Sequence, residues 1–585
     1  MDNSIYAAYN ARSLSISEIC QRFVENEAYY KLSAPNHSLL IGPRGSGKTT
    51  LMRMLQVEAL GYSYKSKVAH LDSIDYCGVF VPTDRLWKQQ YSRLMNVADV
   101  DKRNLLLKVA GTLFTFHVIS CICDSLRYRF SESTEFKSLL FTDHTEADVV
   151  NSLSRLWEVN PEIPSARSLS SSVLRRKSEL TKSLSAVLSG DASLAEIMKF
   201  SDFSDSVQTI SDTVREINIS SGEESGKWVF LFDELELAPD NILKPLYQAM
   251  RGGPENIFWK LSLSPYNQNL NIDESETRPM PNHDYDVIRI PDVSGQSIDF
   301  ARSLVAHVFQ KNGYRRDVEE YFDEPCTMDV KEVFSGLESS DEGFSNYLKE
   351  HDIDVENIEK YGDKKGDKGP TIRKIKFIAQ IRNHFRSGGR MKPRRSIPDF
   401  YLGFDNICKS VEYNPRMIIA ISNTLISTLK SNGRISLSKQ GESLRKIYES
   451  QIALYSSISV DGMKTGFSTI NDFVEFLGNY FKDLMVGPEF NAEPPLTFIV
   501  NDDTYVELIG AALNVGALVL LPSDCKHDFG VDGPENTRCR LSYLMAHNYR
   551  LWLTSQGVCD LSRILKGTRN SVSKRLSQED QLDLL

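Results

Sequence analysis

The residues with the clearest chemical use lie between Gly42 and Thr50, where the spacing is G-x-x-x-x-G-K-T. This is the spacing of a phosphate-binding loop, or P-loop. Its glycines allow backbone angles that point N–H groups at phosphate oxygens, and a helix that starts near Lys48 directs its positive dipole end at the same anion. We interpret the following as phosphate-binding residues: Gly42, Pro43, Arg44, Gly45, Ser46, Gly47, Lys48, Thr49 and Thr50.

Two side chains of the loop have specific expected roles. The ammonium of Lys48 should reach the β- and γ-phosphates of a nucleotide such as ATP, and the hydroxyl of Thr49 should bind Mg²⁺. The other interpretation is a glycine-rich loop that arose by chance. An apolar strand before the loop and an amphipathic run over residues 51–55 after it favour phosphate binding.

An apolar strand that ends in two acids, at residues 227–234, supplies the second half of such a site. It has the form of a Walker B strand. Asp233 would hold Mg²⁺ directly or through water, and Glu234 would orient or deprotonate the attacking water. The alternative is a buried strand that runs into a solvated acidic turn, and the presence of the P-loop motif argues against it.

Length and composition set the broad class. A chain of 585 residues has room for several domains, and 41% hydrophobic and 25% charged residues are ordinary for a soluble globular protein. The formal net charge of −10 argues against a protein that coats nucleic acid, although it is compatible with a local basic face.

The nine cysteines predict a reduced, cytoplasmic chain, because their number is odd and none has C-x-x-C spacing. Cys525, His527 and Cys539 lie close in sequence but are one ligand short of a structural zinc site. The start of the chain has no signal-peptide pattern. The longest apolar run, residues 105–123, is interrupted by polar residues, so we expect a buried helix and no membrane association.

Alternating strands and helices predict a parallel sheet covered on both faces. Besides the two strands above, we expect strands at residues 76–82, 257–265 and 286–290, and a helix at 297–310. Few strand signals occur between residues 84 and 225, where helices are expected at 85–97, 102–130 and 186–200. We therefore predict a helical insertion within the sheet domain.

The second half of the chain has one acidic and one basic stretch. Residues 315–370 are acidic and then rich in glycine and lysine, which predicts a partly mobile insertion. Residues 373–395 are strongly basic and contain Phe377 and Phe385. Such a run could follow a nucleic-acid backbone while the aromatic rings stack on bases, or it could be a solvated surface.

Two further stretches predict a particular structure, the start of a helix and a small α+β module. Asn414 suits a helix N-cap and Pro415 suits the first helical position, so Arg416 lies on the opening turn of a helix. From residue 461 the helices and short strands suggest a winged-helix-like module.

Taken together, Gly42–Thr50, Asp233-Glu234 and Asn414-Pro415-Arg416 resemble AAA+ ATPases of the origin-recognition and replication-initiator type. Bacterial origin-recognition-like AAA ATPases are the most similar of these. Weaker similarity extends over residues 10–14, 233–239 and 260–265. The long helical insertion and the acidic net charge are unusual for an initiator.

The resemblance implies roles for residues that spacing alone does not assign. Arg416 is similar to the sensor-2 arginine that touches the γ-phosphate, although a helix-surface arginine is the alternative. The sensor-1 residue would be Ser262, Ser264 or Asn267, and the alternative for Ser262 and Ser264 is that they are ordinary strand residues. An arginine finger from a neighbouring subunit, and hence a homo-oligomer, is implied as well. Its candidates are Arg251 and Arg278.

We therefore expect an α/β fold: a P-loop AAA+ parallel sheet with a large helical insertion, a helical lid and a C-terminal winged-helix-like α+β domain. The predicted boundaries are 1–83 and 226–312 for the sheet domain, 84–225 for the insertion, 313–460 for the lid and 461–585 for the C-terminal domain.

Two functions remain open for an ATPase that uses ATP and Mg²⁺. The first is a nucleotide-controlled switch with a protein partner encoded nearby, as in ATPases of bacterial anti-phage defence. The second is an initiator-like loader or motor that acts on DNA or RNA.

Overall fold

Five strands form the sheet that carries the P-loop: β1 (Ser38–Ile41), β2 (Tyr76–Pro82), β3 (Lys227–Asp233), β4 (Ile257–Leu263) and β5 (Asp286–Arg289). In this computed structural model their order is β2-β3-β4-β1-β5. All their pairings are parallel, and strands β1 and β3 are buried along almost their whole length. Burial on both faces is typical of a parallel sheet covered by helices, so the predicted α/β fold is confirmed.

The structure describes residues 11, 13–65, 74–83, 87–131, 143–197, 200, 202–267, 279–290, 297–326, 329–361, 368–387, 390–391, 396–429, 433–521 and 537–565. The chain divides into two units. The sheet unit comprises Tyr9–Gly42 and Gly47–Ile290. The C-terminal unit comprises Pro43–Ser46 and the chain from Pro291 onward. The domain boundaries drawn from the sequence remain predictions.

Eleven helices are described in the sheet unit. They are α1 (Ile16–Arg22), α2 (Glu27–Ser33), α3 (Lys48–Met54), α4 (Val57–Lys65), α5 (Trp87–Met95), α6 (Val100–Ser131), α7 (Asp143–Leu156), α8 (Ala166–Ser189), α9 (Leu194–Ile197), α10 (Ser206–Ser221) and α11 (Asp240–Gly252). Helices α3, α6 and α11 pack against the sheet.

Helices α5 to α10 form the predicted helical insertion, and the described residues between 84 and 225 contain no strand. Helix α6 packs against α8 and β2. Among the described residues it is the one helix long and apolar enough to cross a membrane, but half of its most apolar stretch is buried within the protein. The burial supports its interpretation as a core helix.

The predicted continuous helix over residues 186–200 is wrong. Helix α8 ends at Ser189 because Gly190 adopts a left-handed conformation (φ 86°) and its N–H donates to the carbonyl of Ala186. Glycine takes this conformation without a steric penalty, which is why it commonly ends helices. The short helix α9 follows only after this break.

The described helices of the C-terminal unit are α12 (Ser297–Lys311), α13 (Val330–Ser340), α14 (Glu342–Glu350), α15 (Gly369–Phe385), α16 (Phe404–Ser410), α17 (Pro415–Leu429), α18 (Leu437–Ser456), α19 (Ile470–Val486), α20 (Val506–Asn514) and α21 (Ala546–Tyr549). The strands are β6 (Arg386–Ser387), β7 (Arg390–Met391), β8 (Phe498–Ile499), β9 (Leu518–Leu520), β10 (Arg538–Leu541) and β11 (Cys559–Asp560). A four-stranded sheet in the order β11-β8-β10-β9 lies among helices after residue 461, as expected for a winged-helix-like α+β segment.

The acidic stretch forms a packed helical structure, so the prediction of a partly mobile insertion is wrong for the part that the structure describes. Helices α13, α14 and α15 enclose an apolar cluster that includes Phe334, Leu337, Phe344 and Ile375. The acidic side chains lie mainly on the outer surface. The acidic composition of this stretch therefore did not indicate that its apolar residues recur on one face of each helix. Residues 362–367 lie outside the described part.

Two arginines of the basic run are buried and hold helices together. Two N–H groups of Arg382 donate to Asp341 Oδ2 at 3.0 and 2.7 Å, and its Nη1 donates to backbone carbonyls at the end of α19 and just beyond. The Nη1 of Arg386 donates to the carbonyls of Val486 and Gly487. These arginines cross-link the chain at α15 to the chain around the end of α19, so they are not surface charges.

The aromatic residues of the basic run are also engaged within the protein. Phe385 is buried, and Phe377 stacks on Trp552 with ring centroids 4.3 Å apart. Base stacking by Phe385 is therefore ruled out by its burial in this structure. Lys392, Arg394 and Arg395 lie outside the described residues.

A lysine lies wholly buried in the middle of β4. Lys260 Nζ donates to the backbone carbonyls of Ala34 and Asn36 at 2.9 and 3.1 Å. Burial lowers the pKa of Lys260 to about 7. Burial and the nearby Lys260 lower the pKa of His37 to about 4, and His37 Nδ1 accepts a hydrogen bond from the N–H of Trp259, as a neutral ring can.

We expect Lys260 to make the stability of the sheet unit depend on pH. Between about pH 7 and 10 the unfolded chain keeps a proton on this lysine that the folded protein has released. The free energy of unfolding therefore rises with pH over this window, by at most about 1.4 kcal/mol per pH unit. Urea denaturation of the wild type and of Lys260→Met from pH 7 to 9.5 measures the effect. Parallel pH curves for the two proteins would contradict it.

Candidate functional site

The P-loop leads directly from strand β1 into helix α3. Gly47 precedes the helix in a left-handed conformation (φ 97°) that a side chain would strain. Lys48 is the first residue of α3, is buried, and donates from Nζ to the carbonyl of Gly42 at 2.5 Å. This lysine therefore folds back over the loop, where an ammonium group can neutralise phosphate charge.

The tip of β3 presents a buried carboxylate to two hydroxyl groups. Thr49 Oγ1 donates to Asp233 Oδ2 at 2.8 Å, and Ser262 Oγ donates to Asp233 Oδ1 at 3.2 Å. Burial raises the pKa of Asp233, the hydrogen bond from Thr49 lowers it, and the nearby charge of Glu234 raises it further. A carboxylate and a hydroxyl brought together in this way are oxygen ligands that suit Mg²⁺.

Glu234 follows Asp233 with φ 54° and ψ 41°, in the left-handed region. This conformation is uncommon for a residue with a side chain, and strained residues of this kind cluster at functional sites. The turn directs the chain from β3 into a short 3₁₀ helix, Leu235–Leu237. Glu234 thus stands at the strand end where the sequence predicts the residue that positions water.

The three sensor-1 candidates differ in their contacts. Ser262 contacts Asp233, whereas Ser264 Oγ donates to Glu236 Oε1 at 2.7 Å. Asn267 is buried, with 8% of its surface exposed. The sequence analysis did not assign a role to Glu236. Its position two residues after Glu234, and the serines at positions 262 and 264, could have indicated a second contact between an acid and a serine. The other oxygen of Glu236, Oε2, is buried and accepts no hydrogen bond from the described residues.

In the C-terminal unit, the start of α17 contacts the tip of the P-loop. Asn414 Oδ1 accepts a hydrogen bond from the N–H of Arg416 at 3.1 Å, which confirms the predicted N-cap. Asn414 Nδ2 donates to the carbonyl of Arg44 at 3.3 Å, and the N–H of Arg416 lies 3.4 Å from the carbonyl oxygen of Gly45. The structure therefore brings the predicted sensor-2 residue to the backbone of the loop.

The tip of the P-loop has two features that fit a phosphate group. Ser46 Oγ is buried and has no hydrogen-bond partner among the described residues, so it retains the capacity to bond to a phosphate oxygen. Gly45 has φ 86°, and a Cβ there would lie 3.1 Å from Asn414 Oδ1. These observations agree with a loop built for an anion and held closely by α17.

The remaining predicted site residues are an arginine-finger pair and a cysteine–histidine group. Arg251 is exposed near the end of α11, and Arg278 lies outside the described residues. Cys539 is buried in β10, while Cys525 and His527 fall outside the described part. Within the described part of the chain, no group of three or more His, Cys, Asp and Glu side chains lies close enough to hold a metal ion.

A five-stranded parallel sheet with a P-loop after β1 and an acidic end on β3 defines an AAA+ protein of the P-loop ATPase class. The chain matches the ORC-CDC6-like family over residues 4–561 and belongs to it. This membership implies ATP as the nucleotide and, as is usual for AAA+ ATPases, Mg²⁺. Comparison with curated proteins gave no match.

We expect the backbone at Glu234 to be strained, and a glycine there to relieve the strain. Glu234→Gly should raise the free energy of unfolding by about 1 kcal/mol relative to Glu234→Gln, because only glycine takes the left-handed conformation freely. The glutamine variant removes the same charge and keeps the Cβ, so it is the matched control. Urea denaturation of both proteins measures the difference, and a glycine variant no more stable than the glutamine variant would refute it.

Proposed function

We propose that this protein binds and hydrolyses ATP and uses the cycle as a conformational switch. The observation that carries the proposal is the hydrogen bond between Thr49 and Asp233, two residues 184 positions apart in the sequence. It brings the hydroxyl of the P-loop to the acidic end of β3, which is the pairing that a nucleotide-bound metal requires.

Each residue of the site has a role in this proposal. Lys48 and the P-loop backbone neutralise and orient the phosphates, and Thr49 and Asp233 hold the metal. Glu234 orients the attacking water and accepts its proton. When bound, Mg²⁺ and ATP supply the electrophilic γ-phosphoryl group and the energy of its hydrolysis. Catalysis here consists of positioning and electrostatic stabilisation, without a covalent enzyme intermediate.

Arg416 would couple the hydrolysis of ATP to the position of helix α17. The backbone of Arg416 lies against Gly45. Loss of the γ-phosphate would therefore change the contacts at the start of α17.

We further propose a homo-oligomer in the cytoplasm and a protein partner encoded nearby. In the oligomer, Arg251 or Arg278 is the arginine finger that reaches the nucleotide of a neighbouring subunit. The resemblance to anti-phage defence ATPases supports this setting.

The burial of Arg382 and Arg386 favours the switch over a nucleic-acid loader. These two charges are already paired within the protein, so the described part of the basic run offers less positive surface than its sequence suggested. The second candidate function is a loader in which the exposed residues of this run, Arg373 and Lys374 among them, contact nucleic acid.

We expect ATP hydrolysis by the purified protein to fall at least about 100-fold in Lys48→Ala and in Glu234→Gln, since each removes a group that acts on the phosphates or on water. Glu234→Gln should still bind ATP, whereas Lys48→Ala should bind it weakly. Lys182→Ala, an exposed lysine of α8, is the control and should hydrolyse ATP normally. Phosphate release and equilibrium nucleotide binding are the measurements.

The same assay separates the two functions. Hydrolysis that is indifferent to added DNA or RNA supports the switch, whereas strong stimulation by either supports the loader. Unchanged hydrolysis in Lys48→Ala would refute the proposed site. If the switch acts in defence, Lys48→Ala should abolish protection in phage plating assays of cells that carry the protein with its neighbouring genes.

A further inference from the structure

The turn that precedes Arg416 is strained at two consecutive residues. Glu412 has φ 56° and Tyr413 has φ 51°, so both adopt the left-handed conformation although neither is glycine. Such residues persist only where surrounding contacts hold them. The next residue is Asn414, which caps α17 and contacts the P-loop tip. Whatever holds this turn therefore also positions the groups that contact the loop.

The turn is held by a buried ion pair with the small C-terminal sheet. Arg540, on β10, donates from Nη1 and Nη2 to the two carboxylate oxygens of Glu412 at 2.6 and 2.7 Å. The N–H of Tyr543 donates to the same carboxylate, and the Arg540 guanidinium lies 3.6 Å from the centroid of the Tyr543 ring. Only 7% of the Arg540 side chain and 13% of the Glu412 side chain are exposed.

A bidentate ion pair of this kind fixes both the distance and the orientation between the guanidinium and the carboxylate. Its burial removes competition from water, so the geometry of Glu412 is strongly determined. Because Asn414 and Arg416 follow Glu412 by only two and four residues, the position of Glu412 also restricts the positions of these two residues. A second contact of the same segment lies close by, since the N–H of Arg44 donates to the carbonyl of Asn514, the last residue of α20.

We propose that Glu412 and Arg540 are positioning residues of the nucleotide site, through which the C-terminal α+β segment responds to the γ-phosphate. The inference rests on the proposed function and deepens it by naming the segment that the switch moves. Binding of ATP favours the arrangement in which Arg416 lies against the P-loop, and the ion pair stabilises that same arrangement. By linkage, each must then strengthen the other.

A purely structural ion pair is the alternative, and the chain offers a matched control for it. Arg382 and Asp341 form another buried pair in the same unit, and both side chains are almost fully buried. That pair joins α15 to the start of α14 and does not contact the turn before Arg416. Glu412→Gln and Asp341→Asn should both lower the melting temperature, because each leaves a buried arginine without its counter-charge.

The two variants are expected to differ in nucleotide preference. Dissociation constants for fluorescent ADP and for a fluorescent, slowly hydrolysed ATP analogue are measured by titration below the melting temperatures. In Glu412→Gln the ATP analogue should bind about tenfold more weakly while ADP binding changes less than twofold. Asp341→Asn should leave both constants unchanged. An unaltered preference in Glu412→Gln, or an equal change in Asp341→Asn, overturns the proposal.

A measurement on the wild-type protein keeps the proposal testable if Glu412→Gln does not fold. Hydrogen exchange over residues 538–545 reports the Tyr543 N–H that donates to Glu412. The ATP analogue should slow this exchange relative to ADP, while residues 330–340 serve as an internal control and should not change. Equal exchange in both nucleotides overturns the proposal. Failure of the wild type to bind ATP would instead refute the proposed function itself.

Discussion

The buried carboxylate of Asp233 is the constraint on which the proposed nucleotide site depends. It lies at the end of a strand that is buried from Trp228 onward, and it accepts hydrogen bonds from Thr49 and Ser262. A carboxylate in such surroundings is costly to ionise, which is why burial raises its pKa. A divalent cation beside it would reverse that cost, so the same burial that destabilises the free site favours a metal-bound one.

Three of the non-glycine residues with a left-handed backbone lie beside the proposed site. Glu234 follows Asp233, and the pair Glu412-Tyr413 precedes Asn414, which caps the helix that carries Arg416. Local strain of this kind must be balanced by contacts elsewhere. Around Glu412 that balance comes from Arg540 and Tyr543. This arrangement fits the proposed switch, because a change at the site would alter the contacts that hold the strained turn.

Several side chains that look like surface charges in the sequence are buried instead. Lys260, Arg382 and Arg540 are all buried, and each is surrounded by carbonyls or carboxylates that accept its hydrogen bonds. Removing the carboxylate that pairs with Arg382 or with Arg540 is expected to destabilise the protein strongly, because the remaining charge stays buried. Because Arg382 and Arg386 belong to the basic run and are buried, the composition of that run overstated the positive surface available to nucleic acid.

The sequence by itself determined the P-loop, the five strands of the parallel sheet and the N-cap at Asn414, because these depend on residues within one turn or one strand of each other. Only the tertiary structure decided which serine contacts Asp233, that Arg382 is buried, and that Glu412 pairs with Arg540 across 128 positions. The physical reason is that burial and long-range pairing depend on how elements pack, and local spacing carries no information about a partner far along the chain.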